Sequence, residues 1–360
     1  MLRLILLAII LISVMASHWA HIKFGTIYPS VHAVCPVGGL ENLWSWLISG
    51  QNIQKIFSGT MTLFFLTLFL ALVLGRTFCG NICPFGAVFE FTGKLTSKKI
   101  SVEKKLDSIL RTMKYLVLIG ITLMAWRYQT LWISEYDPYA AFSHIWEGMN
   151  VFKEAPIGTT LLIIILLASL VIERFFCKYL CPAGALYGLF SKISILKIRR
   201  TADCYQCGKC SATCPQNIDI MQTEIVANPE CIACGRCIDS CPKPDEFLRF
   251  SWLGRTIKPV WLTVLTILFF FGSLFLFQQL GIYRVTVPSV SSITESGKYL
   301  QAEDLRGSMT IEMAAKYTGK DLAEFYTWME IPPTVPKETV LKEITSYIPN
   351  YNFEQIKKKK

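Results

Sequence analysis

The chain has 360 residues and a mass of 40.8 kDa, with 52% hydrophobic residues, 17% charged residues and a mean hydropathy of +0.41. Soluble globular proteins carry about 25% charged residues, so this composition excludes an ordinary soluble globule, a disordered chain and a collagen-like fibre, and points to lipid-facing surface. The net charge of +10 could suit a nucleic-acid surface, and the 13 cysteines are too many for an ordinary cytosolic enzyme and too tightly spaced for a loosely stapled secreted domain.

Five apolar runs approach the roughly 20 residues needed to cross about 30 Å of hydrocarbon: Leu4 to Ala20, Thr60 to Leu74, Tyr115 to Trp132, Ile157 to Ile172 and Pro259 to Leu280. The first reads as an uncleaved anchor rather than a signal peptide, because Trp19, Ile22 and Phe24 continue its apolar character. Loops retained in the cytoplasm are enriched in Lys and Arg. The segment after the second run carries Arg76, Lys94, Lys98, Lys99, Lys104, Lys105, Arg111 and Lys114, and the one after the fourth carries Arg174, Lys178, Lys192, Lys197, Arg199 and Arg200. The stretch from Ser134 to Pro156 has Lys153 alone against Glu135, Asp137, Glu147 and Glu154. Both basic segments are therefore expected in the cytoplasm, with the N-terminus inside and the tail after Leu280 outside. The positive charge is then topological: membrane lipid is an expected partner and nucleic acid is not.

At the cytoplasmic end of the second run, Arg76-Thr-Phe-Cys79-Gly-Asn-Ile-Cys83-Pro84-Phe-Gly86-Ala87 aligns with Arg174-Phe-Phe-Cys177-Lys-Tyr-Leu-Cys181-Pro182-Ala-Gly184-Ala185 after the fourth. The chain thus contains a duplicated unit ending in C-x3-C-P. Cysteines at i and i+4 are expected on one helical face, and Pro suits a new helix start. Cys79, Cys83, Cys177 and Cys181 could converge as an additional metal or iron-sulfur centre, act as redox thiols, or form a structural turn with an interaction role. Arg76 and Arg174 could offset the charge of such a site or anchor to lipid headgroups.

Between the fourth and fifth runs, Cys204, Cys207, Cys210, Cys214 and Pro215 spell C-x2-C-x2-C-x3-C-P, and Cys231, Cys234, Cys237, Cys241 and Pro242 repeat it. In this spacing the fourth cysteine of each run ligates the cluster of the other. Two [4Fe-4S] clusters are expected, one on Cys204, Cys207, Cys210 and Cys241, the other on Cys214, Cys231, Cys234 and Cys237. Gly208 and Gly235 fall where a side chain would crowd a cluster. Zinc ribbons pair C-x2-C units instead, and disulfides are disfavoured in the cytoplasm. Such clusters move single electrons, so the domain reads as a relay.

On the outer side, His32 to Glu41 forms a Pro- and Gly-rich loop, and Glu135 to Tyr139 with His144 and Glu147 forms another. Oxidising a quinol requires proton acceptors, and His32, Asp137 and His144 are the candidate quinone site. A haem held by two of His18, His21, His32 and His144 is disfavoured, because all lie towards one face. In the tail, a helix is expected up to Gly319, a second from Asp321 to Met329 and a third from Lys337 to Tyr347.

With two C-x3-C-P units followed by the double cysteine motif, the chain from Thr60 to Phe250 resembles the NapH-like family of membrane-bound ferredoxins, related to the membrane portion of NosR and to FixG/CcoG proteins. The resemblance implies electron transfer coupled to the quinone pool in support of a reductase. The fifth run and the outer tail are additional to the family's pattern and leave the partner open. The expected fold is an α-helical integral membrane protein with about five transmembrane helices, an inserted bacterial-type 2[4Fe-4S] ferredoxin domain of α+β type and a small mainly helical C-terminal domain. The expected boundaries are 1–200 for the four-helix membrane domain, 201–250 for the ferredoxin domain, 257–282 for the fifth helix and 283–360 for the tail. The expected function is a relay between the quinone pool and redox partner proteins in the cytoplasmic membrane, as an electron-transfer subunit of a quinol-linked oxidoreductase system. The alternatives are a metal-handling or assembly factor whose clusters reduce a metal ion, as in CcoG relatives, and a structural anchor for a redox complex.

Overall fold

The computed structural model describes residues 2–24, 28–29, 34–49, 53, 56, 58–96, 100, 102–149, 151–152, 155–244, 246–285, 299–302, 305, 307, 309–348, 351, 353 and 356. The chain divides into two compact units, residues 1–19 with 31–285, and residues 20–30 with 286–360.

In the larger unit, the helices α1 (Leu2–Phe24), α2 (Pro36–Ser49), α3 (Ser58–Leu74), α4 (Thr77–Asn81), α5 (Pro84–Lys94) and α6 (Lys104–Tyr128) follow one another. After α7 (Pro138–Ser143) and α8 (Pro156–Val171), the helices α9 (Phe175–Tyr179) and α10 (Pro182–Ser191) repeat the pattern of α4 and α5. Among the described residues, α1, α6 and the later helix α13 (Pro259–Gln279) are long and apolar enough to cross a membrane. The helices α3 and α8 are equally apolar but have 17 and 16 residues, a reach of about 25 Å at 1.5 Å per residue.

Two expectations from the sequence need correction here. Helix α6 begins at Lys104, not near Tyr115, so the basic stretch read as a loop forms its first turns. Asp107 and Lys114 are buried there because each has ionic partners: Asp107 lies 2.7 Å from Arg111 and 3.5 Å from Lys178, and Lys114 pairs with Glu230. The Pro- and Gly-rich segment after His32 is the start of α2, not an open loop. Its Gly38-Gly39 pair reads as a chain breaker, but Gly39 is needed for packing: a Cβ there would sit 2.4 Å from the Phe64 Cβ of α3. Small residues allow this close approach of apolar helices.

The segment from Lys197 to Ile257 carries a four-stranded antiparallel sheet in the order β2-β1-β3-β4, with β1 Lys197–Arg200, β2 Ile225–Val226, β3 Leu248–Trp252 and β4 Arg255–Ile257. Two four-residue helices, α11 (Lys209–Ala212) and α12 (Arg236–Asp239), lie between the strands. Ile198, Ile220, Val226, Ile238, Leu248 and Phe250 form the core under this sheet. This is a mixed helix and strand element within an otherwise helical unit.

The smaller unit has its own core, built on Leu305, Met309, Ile311, Phe325, Met329 and Leu341. Its helix α14 (Ile311–Thr318) is capped by the Thr310 hydroxyl, which accepts from Met313 N at 3.2 Å, and ends at Gly319 with φ 69°. Helix α15 (Leu322–Trp328) and a 3-10 turn over Leu341–Ser346 follow, within the segments expected from the sequence.

Candidate redox centres and an apolar cavity

The eight cysteines between β1 and β3 fall into two groups around two small cavities. Cys204, Cys207, Cys210 and Cys241 line one, together with Arg200, Lys209 and Met221. Cys214, Cys231, Cys234 and Cys237 line the other, with Ile198, Ile218 and Ile232. The first group opens towards the surface, where Cys207 is exposed, whereas Cys237 in the second is buried. The donor chemistry suits iron-sulfur clusters: each cavity has four thiols, and each thiolate of a cubane takes its own iron. Among the described residues, no three His, Cys, Asp or Glu side chains converge on one metal ion.

Gly208 and Gly235 have φ of 79° and 77° and open α11 and α12. Their requirement is this left-handed backbone, and for Gly235 also the close approach of Pro259, whose Cβ lies 2.6 Å from where a Cβ would stand.

In the duplicated unit, the two cysteines of each motif do not lie on one helical face as the sequence suggested. Cys79 is inside α4 and Cys177 inside α9, whereas Cys83 and Cys181 are the N-caps of α5 and α10. The sulfur of Cys83 accepts from Gly86 N at 3.4 Å and that of Cys181 from Gly184 N at 3.3 Å. Pro84 and Pro182 hold the first helical position after them, where a missing N–H costs nothing. The short helix and the bend after it bring the two thiols of each repeat together. The repeats also meet: burial pushes the Cys83 thiol up to about 12, with Cys79 and Cys177 adding to the rise, and Cys181 is raised by burial and then by Cys177, Cys79 and Cys83.

Arg76 and Arg174 are among the most deeply buried side chains of the chain, 1% and 0% exposed. This rules out the lipid-headgroup anchor and leaves charge compensation. Each reaches into the other repeat: a Cβ at Gly184 would come within 2.8 Å of Arg76 Nη2, and one at Gly86 within 3.3 Å of Arg174 Nη1. Arg76 donates to Glu230 at 2.9 Å and Arg174 to Glu90 at 2.5 Å, and Arg174 Nη1 also donates to the Cys79 carbonyl at 3.1 Å. Burial opposes the charge of both guanidiniums, but Cys79 and Glu230 beside Arg76, and Glu90 and Cys177 beside Arg174, hold them above their ordinary value. Arg174 takes φ 56° to make these contacts, at a cost of about 1–2 kcal/mol for a non-glycine residue. Arg3 of α1 also pairs with Glu90 and donates to the Gly80 carbonyl at 2.6 Å.

The duplicated unit abuts the second cysteine group directly. A Cβ at Gly80 would lie 2.1 Å from the Ile232 carbonyl oxygen, so α4 packs backbone to backbone against the loop between Cys231 and Cys234. Arg76 also donates to the Pro229 carbonyl at 3.2 Å, one residue before Glu230.

On the other flank, Cys83 and Cys181 form part of the wall of an apolar cavity of about 680 Å³. Ile121, Phe85, Phe176 and Phe270 contribute to its lining, and His18, Glu41, Asp137 and Tyr139 are among its few polar side chains. Of the two predicted quinone residues that are described, Asp137 and His144, Asp137 lines it, and its side chain caps α7 by accepting from Tyr139 N at 2.9 Å. His144 is the C-cap of α7 and is not among the residues that line the cavity, and His32 lies outside the described residues. Glu41, Glu90 and Glu230 are absent from the candidates read in the sequence. Glu90 had a signal, a lone acid within the apolar run of α5.

Comparison with known proteins agrees with the cysteine architecture. The family model described as a 4Fe-4S binding domain matches residues 59–103 and 154–201, the two C-x3-C-P units, and the one described as a 4Fe-4S dicluster domain matches 196–242. The class so defined is an iron-sulfur protein of ferredoxin type with a largely helical, membrane-compatible scaffold. The chain is 35% identical over 198 residues to YccM of Escherichia coli strain K12, covering 51% of this chain and 54% of that protein. It is 30% identical over 153 residues to the ferredoxin-type protein NapH of Haemophilus influenzae, covering 42% and 51%, and equally to the methylamine utilization ferredoxin-type protein MauN of Paracoccus denitrificans, covering 41% and 51%. The chain is thus similar in sequence to NapH-like 4Fe-4S ferredoxin-type proteins. It spans about half the length of these curated relatives. No solved structure matches it.

Proposed function

We propose that the protein relays electrons between the quinone pool and redox partner proteins. Cys204, Cys207, Cys210 and Cys241 hold one [4Fe-4S] cluster, and Cys214, Cys231, Cys234 and Cys237 hold the second. Cys79, Cys83, Cys177 and Cys181 hold a further metal or iron-sulfur centre, whose negative charge the buried Arg76 and Arg174 offset. When bound, these groups supply single-electron steps. The chain's own contribution is to fix their spacing, exclude water and compensate charge.

One observation carries this reading. The C-x3-C-P unit touches the second cysteine group through Gly80 and Ile232 on one side and walls the apolar cavity with Cys83 and Cys181 on the other. A series from surface to cavity follows: the more exposed first cluster takes electrons from, or gives them to, a protein partner, and the cavity end serves a lipid-soluble carrier. A cavity of this size, mostly apolar with a few polar groups, suits a small organic ligand. The ferredoxin-type names of NapH and MauN support a protein partner.

In this reading all five apolar helices cross the membrane, the two shorter ones by extension through their flanking segments. The division is a membrane domain over 1–200, a cytoplasmic ferredoxin domain over 201–250, a fifth helix over 257–282 and an outer segment over 283–360. The Lys and Arg distribution in the sequence supports this orientation. The test is anaerobic reconstitution of the purified chain in phosphatidylcholine vesicles. A hydroquinone is expected to bleach the clusters, or a quinone to reoxidise them after reduction. Clusters that respond to dithionite but to neither quinone form would overturn the reading.

A further inference from the structure

Glu41 has no place in the electron path just described. It is 2% exposed, lines the apolar cavity, and its Oε1 has no hydrogen-bond partner among the described residues. Glu41 receives a backbone hydrogen bond from Ile133, but a buried polar atom left unpaired costs about 1–3 kcal/mol, so the unpaired oxygen calls for a partner that the described residues do not provide. Asp137 lines the same cavity with one oxygen engaged by Tyr139 N, and the two carboxyl groups are close enough that the charge of Asp137 acts on Glu41.

Resting on the quinone-linked reading, we propose that Glu41 and Asp137 are the proton-exchanging pair for a hydroquinone bound in this cavity. The occupant is a quinone ring, because a pair of carboxyl groups at an apolar wall matches a flat apolar ring with oxygen atoms at its rim. In oxidation, the two O–H bonds of the hydroquinone break. Its two protons pass one after the other to the carboxylate of the pair, each leaving to water before the next arrives, its two electrons pass singly to two oxidised [4Fe-4S] clusters, and the products are quinone and two reduced clusters. In the reverse direction the pair returns the protons.

The state of the pair suits this exchange. Burial pushes Asp137 up to about 6 and Glu41 up to about 8, with the charge of Asp137 adding to the rise at Glu41. At neutral pH the pair therefore holds one proton, with a carboxylate to accept and a carboxylic acid to donate. The other titratable groups facing it are His18 from α1, Cys35 just before α2, and Tyr136 and Tyr139 around α7. Tyr283 beyond α13 and the thiols of Cys83 and Cys181 complete the set, and no lysine or arginine lines the cavity among the described residues.

The test uses Asp137→Asn and Glu41→Gln in the full chain, in phosphatidylcholine vesicles with decylubiquinol. Asn still caps a helix and Gln mimics the neutral Glu41, so both variants keep the fold, and an unchanged dithionite-reducible cluster signal verifies this. General acid-base groups contribute about 10²–10⁴-fold. The hydroquinone-driven rate of Asp137→Asn is expected to fall about 100-fold and lose its rise through pH 6. That of Glu41→Gln is expected to fall and lose its pH dependence near 8, with partial rescue by Glu41→Asp. Wild-type rates and pH profiles in both variants would overturn the proposal and leave the quinone reading standing. A wild-type chain whose clusters decylubiquinol and decylubiquinone never touch would overturn both.

Discussion

Substituting Gly80 by Ala probes the contact between the duplicated unit and the cysteine loop. The new Cβ would stand 2.1 Å from the Ile232 carbonyl oxygen, where ordinary contact begins at 3.4 Å, so helix and loop must separate by about 1.3 Å. The obstructing atom is backbone, held between Cys231 and Cys234, and cannot turn away as a side chain could. Overpacking typically costs about 1–3 kcal/mol, and a backbone collision belongs at the upper end. Gly120→Ala is the control: nothing lies within 4 Å of its Cβ, and in a helix interior Ala is favoured over Gly by about 0.5–1 kcal/mol. The assay is thermal bleaching of cluster absorption in detergent, with the EPR spectrum of the reduced protein. Gly80→Ala is expected to bleach several degrees below wild type with an altered spectrum of one cluster, and Gly120→Ala at or above wild type. Identical bleaching and spectra for Gly80→Ala would refute direct packing of α4 on the cluster loop.

Other substitutions test separate parts of the account. Glu90→Gln leaves the buried Arg174 and the partly buried Arg3 without their carboxylate, which costs about 3–5 kcal/mol and is measured by denaturation. Burial opposes ionisation of Glu90, but Arg174 and Arg3 override it and hold the carboxyl at about 2, against 4.5 in the unfolded chain. Its stabilisation is complete above pH 4.5 and is lost as pH falls towards 2, so the gap between wild type and Glu90→Gln in circular-dichroism melts should close over that interval. Gly208→Ala should cost about 1–2 kcal/mol for its left-handed backbone, and Gly235→Ala more, because Pro259 also stands 2.6 Å from the new Cβ. Cys79→Ser with Cys177→Ser should lower bound iron by about four atoms per chain if the third centre is a cubane, while the spectrum of the two ferredoxin-type clusters persists; unchanged metal content would remove that centre.

The cysteine spacing made the dicluster element legible, because the chemistry demands fixed intervals within a short loop. The duplication was equally plain, since both copies keep Arg, Cys, Cys-Pro and Gly at the same offsets. What those arginines do was hidden. Arg174 meets Glu90 across 84 positions and Arg76 meets Glu230 across 154, and no local pattern announces a charge that is buried because a distant acid is buried with it. Helix α2 was lost to the opposite error. Gly38-Gly39 signals a turn in water, but against the Phe64 side chain the missing Cβ allows helix contact. With the Pro- and Gly-rich segment read as a loop, nothing in the sequence marks Glu41 as buried, and only the cavity reveals its carboxyl group beside Asp137. Helix α6 was read late for a related reason: Asp107 and Lys114 look like loop residues until Lys178 and Glu230 neutralise them.

The central claim is that electrons cross from the cavity to the clusters by way of the C-x3-C-P thiols. The measurement that tests it most directly is EPR-monitored reduction of Cys83→Ser with Cys181→Ser in vesicles, by decylubiquinol and separately by dithionite. The account predicts that dithionite reduces both ferredoxin-type clusters as in wild type, whereas reduction by the hydroquinone is abolished. Hydroquinone reduction of both clusters at the wild-type rate would contradict it.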